Sequence, residues 1–183
     1  MTNKEKFAPS IVLTLICVVA AALLSLTYQV TKPQIELINA ENAAKARMEV
    51  LEAADGFTEM TDVALVDGVL EVYQATNGAG YVVTSSSKGF GGAITVMTGF
   101  DTEGNITKVK VTDASNETPG LGSKTTLPSY TDQYSGAAAI TNDKADTSAT
   151  YIQAVTGASY SSRGVYNCVT AALMQLQEIG GGF

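Results

Sequence analysis

AITVMTGFDTEGNITKVKV, residues 93–111, decides the fold class. Ala93 to Phe100 is a β-type run. Ile106 to Val111 alternates Ile106, Lys108 and Lys110 with Thr107, Val109 and Val111, and Asp101, Glu103, Gly104 and Asn105 punctuate the turn between the two. Alternation with a period of two after a short acidic, Gly-bearing turn marks an antiparallel pair. Toward the amino terminus, Tyr81-Val82-Val83 predicts another short strand after the Gly78-Ala79-Gly80 turn. Val63–Val66 and Val69–Tyr73 flank Asp67-Gly68, a strong hairpin signal. Strands that follow one another through turns, with no helix between them, predict a meander and exclude the βαβ repeat of a parallel doubly wound sheet. Toward the carboxyl terminus, residues 112–150 are rich in Thr, Ser, Asn, Asp and Gly and read as loops with short elements. Val165, Val169, Ala172, Leu176 and Ile179 then recur at spacings of three and four, which predicts a core-facing helix from about Ser161 to Ile179 ended by Gly180–Gly182.

At the other end, residues 7–31 carry no charge and centre on IVLTLICVVAAALLSL. At about 1.5 Å per residue, a helix of that length crosses a hydrocarbon core with a little tilt. Tyr28 sits where an interfacial aromatic belongs. A cleaved secretory signal competes, with Ala20–Ala22 as a mimic of its cleavage region, but the apolar run is long for one and a retained span is the reading taken. Lys4 and Lys6 before the span are nearly balanced by Lys32, Lys45 and Arg47 after it, so charge does not set the orientation. Residues 33–54 read as a helix that starts at Pro33 and stops by Gly56. Ile35, Ile38, Met48 and Leu51 form a thin apolar stripe on it, suited to a solvated spacer or to a partner. The expected architecture is α+β: an amino-terminal tail (1–7), a single transmembrane helix (8–31), a juxtamembrane helix (32–56), and a mainly antiparallel sheet domain with packed helices (57–183).

Composition narrows the chemistry. The chain of 183 residues has a net charge of −7, which argues against a nucleic-acid partner, because a polyanion needs basic side chains to neutralise its phosphates. It has no histidine, so it can build no Ser-His-Asp triad, no Cys-His pair and no imidazole metal site. Two cysteines, Cys17 and Cys168, make no thiolate cage. A serine–lysine mechanism through Lys124 or Lys144 has no supporting spacing. Redox or group-transfer chemistry therefore has to come from a cofactor.

Three glycine-bearing segments are candidates for holding one. GlyPheGlyGly at 89–92 is by itself a weak signal, explained by a turn or bulge between strands. AsnGluThrProGlyLeuGly at 116–122 is a Pro-Gly turn whose backbone can approach a flat ligand closely. ThrGlyAlaSerTyrSerSer at 156–162 stands directly before the last helix. Free N–H groups there suit an anion, and Thr156, Ser159, Ser161 and Ser162 add hydroxyls, with Arg163 close by. Ordinary N-capping by Ser161 or Ser162 is the competing explanation of that last segment.

These segments together carry a resemblance. Residues 156–159 resemble the flavinylation motif Asp-x-x-[Ser/Thr]-Gly-Ala-[Ser/Thr], and residues 116–122 resemble the Glu-Thr-Pro-Gly-Leu-Gly signature of the FMN-binding-domain family. The order also matches over nearly the whole chain: one membrane helix, GlyPheGlyGly, the signature, the attachment motif, a closing helix. The family includes the G subunit of the Rnf electron-transport complex and the C subunit of the sodium-pumping NADH:quinone reductase. The short length favours the former, with the latter or a membrane-anchored non-redox binding or assembly module as alternatives. The resemblance implies that a flavin transferase esterifies FMN to Ser159, that Thr156, Gly157 and Ala158 shape that site, and that Glu117, Thr118, Gly120, Leu121 and Gly122 lie near the flavin. It implies an extracytoplasmic domain on the cell membrane. It also implies electron relay among the membrane and iron–sulfur or flavin subunits of a complex that couples ferredoxin:NAD oxidoreduction to Na+ or H+ transport. No catalytic residue and no metal ligand is expected. Two positions depart from the pattern: Gln153 stands where the motif has Asp, and Asn116 where a histidine often precedes the Glu.

Overall fold

A computed structural model describes residues 3–180. The chain divides between Asn42 and Ala43 into two compact units. The described residues of the first are all helical and belong to α1 (Asn3–Val50). This helix is long and apolar enough to cross a membrane, and Ile11, Leu13, Leu15, Leu24 and Val30 are all exposed on it. The two separate helices expected before and after Pro33 are one element. Pro33 lies inside α1, where it removes only the N–H that would bond the Gln29 carbonyl. The helix ends at Val50 rather than near residue 54, and a turn follows in which the Ala54 N–H bonds the Leu51 carbonyl at 3.1 Å.

The second unit is built on a five-stranded antiparallel sheet in sequential order, β1 (Phe57–Glu59), β2 (Val69–Ala75), β3 (Tyr81–Lys88), β4 (Ala93–Phe100) and β5 (Ile106–Asp113). The β3/β4 pair is regular from Tyr81 opposite Phe100 to Lys88 opposite Ala93, so the Gly89–Gly92 connection is anchored at both ends. β5 is followed by a 3-10 turn (Gly122–Thr126), the short α2 (Pro128–Thr131) and a small parallel pair, β6 (Ile140–Thr141) with β7 (Thr150–Tyr151). The closing helix is α3 (Ser159–Gly180).

Two sequence-based expectations change here. Val63–Val66 is not a strand: its backbone bonds a side chain, with the Val66 N–H donating to Gln175 Oε1 at 2.7 Å and Gln175 Nε2 donating to the Ala64 carbonyl at 3.0 Å. β3 runs to Lys88 rather than stopping at Val83, because the polar Ser85–Lys88 continues the ladder. Ser85 is fully buried and donates its hydroxyl to the Cys168 carbonyl at 2.9 Å.

Both sheet faces are covered. One buries Val83, Ile94, Val96, Phe100, Ile106 and Val109 against Val165, Cys168, Val169, Ala172 and Leu176 of α3. The stripe expected on that helix therefore does face the sheet, with Ile179 packed at its edge. Each of the Val, Ile, Leu and Phe side chains among them contributes about 1.5–3 kcal/mol on full burial. The other face packs Ala75, Val82 and Met97 against Ala46, Val50, Leu51 and Ala54. Burial in the core between α3 and the sheet pushes the Cys168 thiol up to about 12, so it is a core residue and not a nucleophile. The consequence of this layout for the site is that α3 lies on β3 and β4, which brings its first turn beside the Gly89–Gly92 connection.

Candidate functional site

The first turn of α3 is assembled by its own backbone. Thr156 and Gly157 form a turn in which Gly157 has φ 82°, a conformation favouring glycine. The Ala158 N–H then donates to the Val155 carbonyl at 2.9 Å, and the helix begins at Ser159, two residues earlier than the spacing suggests. Ser161 and Ser162 are inside the helix and do not cap it. Each is 2% exposed and engaged: Ser162 Oγ accepts the Val155 N–H at 2.9 Å, and the Ser161 hydroxyl donates to Glu117 Oε2. Tyr130, whose hydroxyl burial pushes up, donates to the Ser162 carbonyl at 3.0 Å and fixes the turn from behind. Of the four aliphatic hydroxyls in this segment, those of Thr156 and Ser159 belong to exposed residues. N–H groups of a first helical turn lack intrahelical partners, which makes this end favourable for a phosphate.

Across from it stands the 116–122 segment. The Leu121 N–H donates to the Thr118 carbonyl at 3.1 Å around Pro119 and Gly120, and Gly120 has φ 74°; this is a type II turn with glycine at its required third position. Glu117 turns inward and is 4% exposed. Its Oε1 accepts the N–H groups of Phe90 at 2.9 Å and Gly91 at 3.1 Å, while its Oε2 takes the Ser161 hydroxyl. One carboxylate thus ties together three segments far apart in sequence. The glycines around it explain themselves by contact. A Cβ on Gly91 would run into the Asn116 carbonyl, and one on Gly122 into Glu117 and Ser161.

Between these walls is a pocket of about 120 Å³ lined by Phe90, Thr118, Leu121, Gly122, Gly157, Ala158, Ser159, Tyr160 and Ser161. A second depression of about 120 Å³, lined among others by Tyr130, Asn142, Arg163 and Tyr166, also reaches Ser159. Ser159 therefore stands on the lip between the two. The structure brings Thr118, Leu121, Gly122, Gly157, Ala158 and Ser159 together at the first pocket. It leaves Glu117 behind the wall, and Gly120 and Thr156 off the lining. Gln153 is exposed, and its backbone is held by Gln133, whose Oε1 accepts the Gln153 N–H at 3.0 Å. Sequence reasoning did not pick out Phe90 and Tyr160 as site residues. The signal available was a large aromatic set among glycines and another directly after Ser159. The apolar lining, the exposed hydroxyl and the nearby guanidinium of Arg163 fit a flat ligand bearing a phosphate.

Residues 89–174 match the FMN-binding domain. The chain is 33% identical, over 98% of its length and 99% of the relative's, to the G subunit of the Na+-translocating ferredoxin:NAD+ oxidoreductase complex of Acetobacterium woodii. It is also 33% identical, over 93% of its length and 94% of the relative's, to the G subunit of the ion-translocating oxidoreductase complex of Methanosarcina acetivorans. Among solved structures, the C subunit of the Na+-translocating NADH-quinone reductase from Parabacteroides distasonis shares the fold with a TM-score of 0.51 at 20% identity, over 59% of this chain and 61% of that one. The chain belongs to the FMN-binding domain family, in the group formed by the G subunits of ion-translocating oxidoreductase complexes.

Proposed function

We propose that this chain is the electron-carrying G subunit of a membrane-bound, Rnf-type ferredoxin:NAD+ oxidoreductase complex, and that it holds FMN as a phosphoester on Ser159. The observation that carries the attachment is the contrast among hydroxyls: Ser161 and Ser162 are buried and hydrogen-bonded, while Ser159 is exposed on the pocket lip at the start of α3. In maturation the Ser159 hydroxyl would displace AMP from FAD under a flavin transferase, forming one P–O bond as another breaks and losing its proton. The pocket walls orient the attached group. Leu121 and Gly122 offer an apolar floor, and the α3 N-terminus favours the phosphate by roughly 0.3–1 kcal/mol at an exposed site. That is too little to retain a dissociable ligand, so a covalent link has a physical purpose wherever FMN is not resupplied.

Bound FMN supplies the ability to take up two electrons and release them singly. The small pocket supports a carrier rather than a self-contained enzyme. Ligand pockets that enclose a small molecule measure roughly 300–1,000 Å³, so a volume of about 120 Å³ leaves much of a flavin open to neighbouring subunits. No side chain is assigned as acid or base. α1 anchors the chain in the lipid bilayer, and the domain stands on the extracytoplasmic side beside the other membrane and iron–sulfur or flavin subunits of the complex.

Membranes from the native host test both attachment and side. A denaturing gel viewed under ultraviolet light should show a fluorescent band at the mass of this chain, and external protease on intact spheroplasts should remove it. A dark band would contradict the covalent flavin; a fluorescent band that only inverted vesicles expose to protease would contradict the placement.

A further inference from the structure

We infer that Phe90 and Tyr160 form an aromatic slot that receives the flat ring system of the flavin, and that Glu117 is the positioning residue that holds the Phe90 side of the slot. This rests on the reading that Ser159 carries FMN. The two ring centroids are 6.4 Å apart with an interplanar angle of 52°. Phe90 is 68% and Tyr160 64% exposed, and both border the pocket that Ser159 shares. Two exposed, mutually tilted aromatics beside a pocket form an apolar surface open to solvent. A flat ring held between two others needs them about 7 Å apart, twice the van der Waals contact distance of roughly 3.5 Å. The centroids stand 6.4 Å apart, a little short of that separation, so the two side chains, which solvent leaves free to turn, have to become parallel and part slightly to admit a ring.

The backbone under each ring is fixed. Tyr160 follows Ser159 in the first turn of α3, so a group esterified to Ser159 starts next to it. Arg163 stands 5.7 Å from the Tyr160 ring centroid, within cation–π reach. Phe90 projects from the connection between β3 and β4, and its N–H and that of Gly91 are the two that Glu117 Oε1 accepts. Because Glu117 Oε2 takes the Ser161 hydroxyl, the carboxylate links the Phe90 connection to the very turn that carries Ser159 and Tyr160. Glu117 thus acts on the ligand through Phe90 and not by contact.

The test uses the full-length chain purified with its flavin, with the load of every variant measured first by mass. Stacking on tyrosine quenches flavin fluorescence, and a fixed asymmetric slot gives the flavin a visible circular dichroism signal. The native chain should be several-fold dimmer than the same sample denatured. Tyr160→Leu should recover most of that loss, and Phe90→Leu should weaken the dichroism. Glu117→Gln keeps an oxygen for both N–H groups and should match the native chain, whereas Glu117→Ala should behave like Phe90→Leu. Fully loaded Tyr160→Leu and Phe90→Leu with native spectra would overturn the slot. Native spectra in Glu117→Ala would overturn the role of Glu117. Should that variant not fold, Ser161→Ala, which cuts the link from α3 alone, decides the same point: weakened dichroism supports it and native dichroism overturns it. A native-host chain lacking flavin by mass would overturn the attachment reading instead, and quenching of added free FMN by that chain, lost in Tyr160→Leu, would still decide the slot.

Discussion

At the scale of single residues, the site is organised by what cannot be added to it. Gly91 sits where any Cβ would meet the Asn116 carbonyl, a backbone atom with little room to withdraw. Gly91→Ala should therefore push the Phe90 connection off Glu117 and destabilise the domain by about 1–3 kcal/mol, the usual range for an overpacked position; equal urea midpoints for variant and native chain would contradict this. Glu117 shows the limit of local reading. Its place in a glycine-rich signature suggests a ligand contact, yet its three hydrogen-bond donors are Phe90, Gly91 and Ser161, which lie 27 and 26 residues before it and 44 after it. Nothing near Glu117 in sequence announces those partners. The exposure of Ser159, by contrast, is legible, because the small residues that expose it directly precede it.

At the scale of elements, legibility follows whether a segment is held by its neighbours or by a distant part of the chain. β4, β5 and α3 carry their own periodicity, and the structure forms them where that periodicity places them. Val63–Val66 carries the composition of a strand beside a hairpin dipeptide, but Gln175, more than a hundred residues on, satisfies its backbone instead. Asp67-Gly68 still turns the chain: Gly68 has φ 86° and the Val69 N–H returns to the Val66 carbonyl at 2.9 Å. Gln175 is fully buried and bonds both the Val66 N–H and the Ala64 carbonyl. Gln175→Leu leaves those two backbone groups without their partner and should cost about 1–3 kcal/mol for each that water does not reach. Thermal unfolding at matched pH would measure it, and an unchanged midpoint would show that the segment is not held this way. β3 was hidden past Val83 for a different reason. Ser85 to Lys88 are polar and look like a loop, but buried Ser85 bonds the Cys168 carbonyl, so its hydroxyl is satisfied within the strand's packing. Pro33 misled in the opposite sense: a helix start by local preference, it is carried inside α1.

At the scale of the whole molecule, the chain combines an apolar helical stretch, exposed from Ile11 to Val30 among the described residues, with a domain whose core is closed on both sheet faces. The first property ties it to a bilayer. The second presents the start of α3, with its exposed serine, on a rigid support. The absence of histidine removes the common proton-transfer side chain, which suits a protein whose reaction belongs to a bound group. The whole account therefore turns on what Ser159 carries in the native host. Trypsin digestion of the chain purified from that host should release the peptide 145–163, and its fragmentation should locate the mass of FMN less one water on Ser159. The same peptide recovered unmodified, or modified at Thr156, Ser161 or Ser162, would contradict the account.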